Sequence, residues 1–415
     1  MATLVSRLLI LTALLAPAPA SAEAEVDTDL AAAIAADRAE QPDAPPSSGT
    51  PSTANALNPA LSFILDFGLA WFSDEHHIAQ GGHAIDQGGF TLQGLELAAT
   101  ASVDPYLRFD LAFQLVGMEI EEAAVSTLSL PLNLLLRAGY LITPFGRENR
   151  KHLHQWRFNS PSLAHSRFLS EEHLSGLGAE LSMLLPHVPW YSLVLVEVLD
   201  PANRKGLGLR STSFGHVAVR TDPDSGELVV TREDNIDGPE DLLYLARLEN
   251  SLDLTDDWTL VVGLSGAWGP SPYVPDNRAT LYGVDLYVKW RPLSSGDDAM
   301  AIGLTVEYFL RDTQVPGDSS RDHGGYLQLE FQVSRHWLCA LRVESTDLWH
   351  GPSVDDKRMP NWQWRGSLSA AFLPTHFSMI RLQYDTGHQH GLHEPTHALF
   401  LQLEIAAGSH GAHTF

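Results

Sequence analysis

The feature that most constrains this 415-residue chain is a period-two alternation of apolar and polar residues. In "PYLRFDLAFQLV", Leu107, Phe109 and Leu111 alternate with Arg108 and Asp110. Because successive side chains of a strand point to opposite faces, the pattern predicts β-strands rather than helices. Sixteen segments show it: 61–72, 88–101, 104–117, 118–128, 133–141, 176–185, 190–199, 241–250, 254–267, 280–291, 299–312, 323–334, 335–347, 363–373, 374–386 and 396–407.

The connectors between these segments alternate in length. If the first strand leaves the N-terminal side, the short turns fall on one side of the sheet and nearly all long loops fall on the other. The long loops are 73–87, 142–175, 200–240, 268–279, 313–322, 348–362 and 387–395. This layout predicts an all-β fold, a transmembrane antiparallel β-barrel of about 16 strands with short periplasmic turns and long extracellular loops.

Closure of the sheet follows from the lack of water in a bilayer, because unpaired backbone groups at an open edge would have no partner in lipid. Aromatic residues at segment ends, such as Trp71, Trp190 and Trp258, suit the girdles at the two membrane interfaces. Sixteen strands leave an aqueous channel, which charged side chains would line. The predicted pore-lining residues are Arg108, Asp110, Glu119, Asp285, Lys289, Glu307, Glu330, Arg342, Arg381 and Asp385.

The N-terminal part of the sequence differs from the rest. A positive charge, an apolar run and a small-x-small site lie within residues 1–22, which are predicted to be a secretory signal peptide. Residues 23–58 are rich in Ala, Pro, Ser and Asp and are predicted to be a disordered periplasmic leader or linker. The outer-membrane β-barrel is predicted to occupy residues 59–415.

Charge and cysteine content exclude several classes of protein. The chain has 26 Lys and Arg against 51 Asp and Glu, a formal net charge of −25, which argues against nucleic acid as a partner. The single cysteine, Cys339, excludes an intramolecular disulfide. The expected localisation is the cell outer membrane of a Gram-negative envelope. The expected partners are outer-membrane lipid, lipopolysaccharide and the barrel-assembly machinery.

Several stretches resemble a known family. They are "NPALSFILD", "GFTLQGLELAATASVDPY", "VGMEIEEAAV", "LRAGYLITPFGRENRKHLHQWRF" and the closing "GSHGAHTF". Together they resemble bacterial outer-membrane porin-like proteins related to the phosphate-selective (O/P-type) porins, some of which are labelled zinc-regulated outer-membrane proteins. The resemblance implies a 16-stranded pore and a homotrimer. It does not carry phosphate selectivity, because acidic residues outnumber basic ones in this chain.

The loop 142–175 is locally basic in an acidic protein. It contains "TPFGRENRKHLHQWRFNSPSLAHSRF", in which four cations fall close together. A long loop that folds into a barrel forms its constriction, and charged residues there set selectivity. The predicted constriction residues are Arg147, Arg150, Lys151 and Arg157. A surface loop that packs on neighbouring loops or on a trimer partner is the alternative.

Histidine is frequent and unevenly placed, with 19 copies that lie mostly on the long-loop side. The densest run is "HQHGLHEPTH", which also contains Glu394. Imidazole and carboxylate together suit zinc or copper, and zinc is the cofactor that this run is predicted to bind. The predicted metal ligands are His388, His390, His393 and His397. A solvated polar loop without metal is the alternative.

Enzyme chemistry finds little support in the sequence. Two of the three residues Glu119, Glu121 and Glu122 could act as an acid and a base, but acidic pore lining accounts for them better in a strand. No GxSxG motif and no glycine-rich phosphate loop is present, so no catalytic residue is predicted. Phe415 continues the lipid-facing parity of the last strand and is predicted to be the closure signal for membrane insertion.

These observations predict a porin-like channel for passive diffusion of small hydrophilic or ionic solutes. Three alternatives stay open. The first is a zinc-linked porin whose histidine-rich extracellular loops capture divalent cations. The second is a structural or adhesive barrel with a blocked lumen, and the third is a membrane-embedded hydrolase.

Overall fold

The computed structural model describes residues 59–408, apart from 76, 79–80, 171–172, 202–210, 216, 222–227, 233–235, 274–275, 293–299, 316–317 and 351–360. The predicted signal peptide (1–22), the predicted leader (23–58) and Phe415 lie outside the described residues. A short α-helix, α1, spans Leu163–Phe168. Among the described residues no helix is long and apolar enough to cross a membrane.

Strands dominate the chain. Their bounds are β1 Ala60–Phe72, β2 Gly89–Ser102, β3 Leu107–Gln114, β4 Glu119–Thr127, β5 Leu134–Ile142, β6 Ser175–Leu184, β7 Tyr191–Asp200, β8 Val217–Thr221, β9 Leu228–Arg232, β10 Leu243–Thr255, β11 Trp258–Pro270, β12 Arg278–Trp290, β13 Ala301–Val315, β14 Asp318–Ser334, β15 Trp337–His350, β16 Gln363–Thr375, β17 Ser378–Gln389 and β18 Thr396–Gly408. Short 3-10 turns lie at Pro131–Asn133, Leu153–Gln155 and Pro239–Asp241.

Sixteen of these strands form one closed antiparallel barrel. Each barrel strand pairs with the next one along the chain, and β1 closes the sheet against β18, with Phe67 opposite Leu403. β8 and β9 pair only with each other, as a hairpin in the loop between β7 and β10. Closure leaves the barrel without an open edge, which is the condition for spanning a bilayer with strands.

The two faces of the barrel differ as the alternation predicts. In β18, Leu401 and Leu403 are exposed on the outer face, whereas Gln402 and Glu404 are buried on the inner face. Exposed tryptophans lie near both ends of the strands: Trp71, Trp268 and Trp364 at the long-loop end, and Trp190, Trp258 and Trp337 at the short-turn end. An apolar exterior between aromatic girdles is the surface of an outer-membrane barrel.

The predicted strand order is confirmed, since each of the sixteen predicted segments overlaps one barrel strand. The predicted loop 313–322 is wrong, because β13 continues to Val315 and β14 begins at Asp318. Ion pairs between the two strands, Arg321 with Asp312 and Arg311 with Asp322, extend the hairpin beyond its apolar part. The β8–β9 hairpin was not predicted, because its two five-residue strands lie within the longest connector.

Candidate pore constriction

The loop between β5 and β6 lies inside the barrel rather than on its surface. Its residues bond to inner-face side chains of strands around the wall, from Glu180 in β6 to Arg381 in β17. The four predicted constriction residues therefore lie in the lumen, and we refer to residues 143–174 as the constriction loop. A loop in this position narrows any path through the barrel.

The constriction loop enters the lumen through a tight approach to β13. Gly146 has a φ of +69°, and a Cβ built there would lie 2.6 Å from Oε1 of Glu307. Glycine is therefore required for both the backbone conformation and the space. The N–H of Arg147 donates to the same Glu307 carboxylate, and the Arg147 guanidinium lies 3.8 Å over the ring of Tyr287.

The helix α1 is fixed by charged side chains of β15 and β16. Ser162 caps its N-terminus by accepting from the N–H of His165 at 3.1 Å. Oε2 of Glu344 accepts from the N–H of Leu163 at 2.6 Å. Arg365 donates to the carbonyl of Pro161 at 2.7 Å and to Glu344 at 2.6 Å. These bonds satisfy backbone groups that would otherwise be buried without partners.

Further anchors lie on β14, β17 and β2. Arg157 donates to Glu330 at 2.8 Å, and Arg381 donates to the carbonyl of Trp156 at 2.7 Å. Asn159 is held from two sides, because its N–H donates to Gln383 at 2.9 Å and its carbonyl accepts from Gln93 at 2.7 Å. The loop is thus attached to several strands of the wall by bonds that connect residues far apart in sequence.

Apolar packing holds the long-loop end of the constriction loop, a feature that the alternation in the sequence did not predict. Loop residues and inner-face wall residues bury each other in one cluster, which contains Phe145, Ala164, Phe168, Leu169 and Leu174 with Leu195, Leu199, Phe214, Leu243, Leu245, Ala267, Ala279, Leu281 and Phe309. Inner-face Leu and Phe are stable there because the loop covers them, which removes their surface from water.

The residues predicted to line the pore are all located on inner faces, but most are paired and buried beneath the loop. Asp285 pairs with Arg247 at 2.6 Å, and Arg342 pairs with Glu344 at 3.1 Å. Glu119 lies at the long-loop end of β4, 3.6 Å from His83. The remaining residues are located along the inner wall: Arg108, Asp110, Lys289, Glu307, Glu330, Arg381 and Asp385.

Several inner-face ionisable residues were not predicted, although the same alternation marks them. Arg137 lies opposite Glu180 in the register of β5 and β6, and it donates to Glu122 at 2.7 Å. Arg247 and Arg365, which are both buried, were also missed. The sequence marks each of them by a neighbour of the opposite parity that is apolar: Leu136, Leu248 and Trp364.

A cavity of about 820 Å³ lies between the constriction loop and strands β1 to β7. It reaches the short-turn end of the barrel, where Ala60, Leu128 and Tyr191 contribute to its lining. Its charged lining has both signs: Arg108, Arg137 and Arg150 with Glu96, Asp110, Glu122 and Glu180. A cavity lined by so many charged side chains suits water and ions better than an apolar ligand.

Histidines of the constriction loop differ in charge because their surroundings differ. Burial lowers the pKa of His165 to about 4, so its imidazole is neutral near pH 7. Burial also acts to lower the pKa of His152, but the carboxylates of Glu96 and Glu121 outweigh it and raise that pKa to about 10. The constriction loop thus contains both neutral and cationic histidines.

The four histidines predicted as metal ligands lie at the β17–β18 loop. Nε2 of His388 lies 3.2 Å from the carbonyl of Leu392, and Nδ1 of His397 lies 2.8 Å from the hydroxyl of Tyr384. His390 and His393 are exposed. In the part of the chain that the structure describes, none of the four belongs to a group of three close metal-ligand atoms, so zinc binding here stays a prediction.

Comparison with known proteins gives the fold and no closer relationship. No family model matches the sequence, and no curated protein sequence matches it. Solved structures do match. One is the outer membrane channel DcaP of Acinetobacter baumannii, with a TM-score of 0.52 and 10% identity over 86% of this chain and 99% of that chain.

Two further matches have similar values. The anion-selective porin from Comamonas acidovorans has a TM-score of 0.50 and 10% identity over 84% of this chain and 99% of that chain. The trimer form of OmpT, an outer membrane protein of Vibrio cholerae, has a TM-score of 0.51 and 9% identity over 85% of this chain and 100% of that chain. The fold is that of the outer-membrane porins.

The closed barrel and its apolar exterior place the protein in the outer membrane. At identities near 10% the likeness shows the fold alone. The narrower expectation of a phosphate-selective or zinc-regulated subtype has no support from any sequence match and stays a prediction.

Proposed function

We propose that this protein is a non-enzymatic, porin-like channel for passive diffusion of small hydrophilic or ionic solutes across the outer membrane. The observation that carries the proposal is the charged cavity of about 820 Å³ beside the constriction loop, inside a sixteen-stranded barrel. Barrels of this size leave room for an aqueous channel. A mixed charged lining stabilises water and small ions there.

The path runs along strands β2 to β7. On the opposite side the constriction loop packs against β13 to β17 through Glu307, Glu330, Glu344, Arg365 and Arg381, which are all buried. The side chains that stay partly exposed next to the cavity include Arg108 and Arg150. Permeating solutes therefore contact the side of the constriction loop that faces away from β13 to β17, and the inner wall formed by β2 to β7.

The lining does not support selectivity for phosphate. Arg137 pairs with Glu122 at 2.7 Å, and Arg150 pairs with Glu180. Since the carboxylates offset these arginines, an anion entering the cavity meets no net cationic surface. We infer that the channel discriminates only weakly between small cations and small anions.

A homotrimer is part of the proposal. Its support is the resemblance to porins and the trimer form of the similar OmpT barrel. The apolar outer face of the barrel offers surface both for lipid and for neighbouring copies. Cross-linking of the folded protein in detergent tests this, because a monomeric band alone would contradict it.

A barrel with a blocked lumen is the second candidate function. The apolar cluster around Phe145, Phe168 and Phe309 favours it, since the loop fills part of the lumen with tightly buried side chains. In this case the barrel would act as a structural or adhesive element with the loop as a plug. The zinc-linked alternative has no such observation at the β17–β18 loop.

Liposome swelling separates the two candidates. The refolded full-length chain is incorporated into liposomes, which are diluted into isotonic solutions of sugars and amino acids of increasing size. A channel gives swelling rates that decrease with solute size, and a blocked barrel gives the rate of protein-free liposomes. Reversal potentials under a KCl gradient then measure the ion preference, and a value near that of full anion selectivity would contradict the mixed lining.

A further inference from the structure

Three metal-ligand side chains meet at the inner wall beside the cavity. They are Glu96 of β2, Glu121 of β4 and His152 of the constriction loop, and one ligand atom from each lies within 4.8 Å of the others. No other group of three such donors occurs among the residues that the structure describes. The group is separate from the histidine-rich β17–β18 loop.

A register shift in the wall directs Glu121 into this group. In the pairing of β3 with β4, Ala112 lies opposite Glu122 and Phe113 lies opposite Ile120, so Glu121 has no partner residue. A bulge of this kind turns a side chain that would otherwise follow the strand alternation. As a result, both Glu121 and Glu122 point into the lumen, and Glu121 is 3% exposed.

The group places two carboxylates close together in a buried position. Glu96 is 4% exposed, so both carboxylates lie where water screens them little. Nδ1 of His152 lies 2.7 Å from Glu121, and Nδ1 of His154 lies 3.0 Å from Glu96, with the two imidazole rings parallel at 5.8 Å. Two buried carboxylates this close need positive charge beside them, which a protonated imidazole or a bound metal ion supplies.

The donor types indicate which cation fits. Calcium and magnesium take oxygen ligands, whereas a mixed set of imidazole and carboxylates suits zinc and similar transition metals. Nε2 of His154 is buried and has no hydrogen-bond partner among the described residues, so this ring offers a further nitrogen beside Glu96. Glu96, His152 and His154 line the cavity of about 820 Å³, which gives an ion access from the short-turn end.

We propose that Glu96, Glu121 and His152 form a site for a divalent transition-metal ion, with zinc as the best match and His154 as a fourth donor beside it. Tetrahedral zinc with bonds of about 2.0–2.2 Å separates its donors by about 3.3 Å, so the carboxylates need to move by about 1.5 Å or less. The ion connects the constriction loop to β2 and β4. A bound ion therefore stabilises the position of the constriction loop against the wall.

Calorimetric titration of zinc chloride into the refolded full-length chain tests the site. We expect one zinc ion per chain and an affinity at least about tenfold lower in Glu121→Gln and in His152→Gln. Substitution of a residue that only hydrogen-bonds to a metal ligand already lowers metal affinity by about tenfold or more, so loss of a ligand should have at least this effect. Two controls keep wild-type affinity. His165→Gln removes a loop histidine that lies 3.6 Å from a single wall carboxylate, Glu307. The triple variant His388→Gln, His390→Gln, His393→Gln removes the β17–β18 cluster.

Three results would overturn the site: no zinc binding by the unmodified chain, unchanged binding in both lumen variants, or loss of binding in the triple variant alone. If a lumen variant lacks the heat-modifiable gel band of a folded barrel, its binding data are not used. Zinc X-ray absorption on the unmodified chain then identifies the ligands of the bound ion. The site predicts oxygen donors with one or two imidazoles, and three or more imidazoles contradict it. Because these readouts measure binding, they are independent of channel activity.

Discussion

At the scale of single residues, buried charge in this lumen is held in pairs and small networks. Arg365 is 1% exposed and donates to Glu344 at 2.6 Å, while Arg342 donates to the same carboxylate at 3.1 Å. Oε2 of Glu344 also accepts from the N–H of Leu163. One carboxylate therefore supports two strands of the wall and the start of α1.

Removal of that carboxylate should be costly. Glu344→Ala removes the carboxylate to which the buried Arg365 donates, and breaking such a pair costs about 3–5 kcal/mol. Asp312→Ala is the matched control, because its pair with Arg321 is exposed and such pairs contribute about 0–1 kcal/mol. Urea unfolding of both variants in detergent measures the difference. Equal losses of unfolding free energy would contradict the role given to burial.

His165 predicts a pH dependence of stability. Its pKa is about 4 when folded, against about 6.5 in an unfolded chain, so the unfolded state binds the proton first as pH falls. The contribution of His165 to stability should therefore decrease from pH 6.5 to pH 4, by up to about 3 kcal/mol, and change no further below that. Glu307 and Tyr326 face the ring from the wall.

The comparison is between unfolding free energies at pH 7 and pH 4.5 in the unmodified chain and in His165→Gln. The loss on acidification should be smaller in the variant, because glutamine does not titrate. The same loss in both proteins would show that His165 is not the group responsible.

At the scale of elements, the alternation of the sequence determined the barrel strands but not the path of the long loop. Pattern alone gives each strand its two faces, as in β18, where Leu401 and Gln402 lie on opposite faces. It did not indicate that inner-face Leu245, Leu281 and Phe309 would be covered by Phe145 and Phe168, because this packing joins residues distant in sequence. The composition of the loop predicts that it is basic. Which wall residues it contacts is visible only in the folded structure.

The entry of the constriction loop depends on Gly146. Gly146→Ala places a Cβ 2.6 Å from Glu307 in a backbone region with φ of +69°, so we expect a displaced loop and a loss of about 1–3 kcal/mol in stability. Gly391→Ala is the control, since Gly391 has φ of +96° with no atom within 4 Å of its Cβ. Trypsin cleavage after the loop arginines should become faster in Gly146→Ala than in the control. Equal rates would contradict the tight approach.

The lipid-facing side of β18 gives a depth-dependent prediction. Leu401→Arg places a charge near the middle of the strand on the outer face, at a cost of about 2–4 kcal/mol in a bilayer. Leu61→Arg places the same charge on the outer face at the short-turn end of β1, where the cost is about 0–1 kcal/mol. Folding into lipid vesicles at increasing urea concentration measures both, and similar midpoints would contradict the assigned faces.

At the scale of the whole molecule, the barrel and its loop form one system in which the wall holds the loop and the loop shapes the lumen. The number and order of barrel strands follow from local alternation, which a sequence shows directly. The cavity and the metal-ligand group depend on how the loop lies against β2 to β7, and on a register shift at Glu121, neither of which local patterns reveal. The density of histidines in the sequence indicates the run at His388, whereas His152 and His154 meet carboxylates only in the folded barrel.

The central claim is that the constriction loop narrows a water-filled pore. Single-channel conductance in planar bilayers tests it most directly, with the unmodified chain compared with a variant in which residues 147–168 are replaced by a short Gly-Ser linker. Heat-modifiable migration confirms that both are folded. We predict discrete channels for the unmodified chain and a conductance several-fold higher for the variant. Equal conductance would contradict a constricting loop, and a silent unmodified chain beside a conducting variant would identify a blocked barrel instead of a porin.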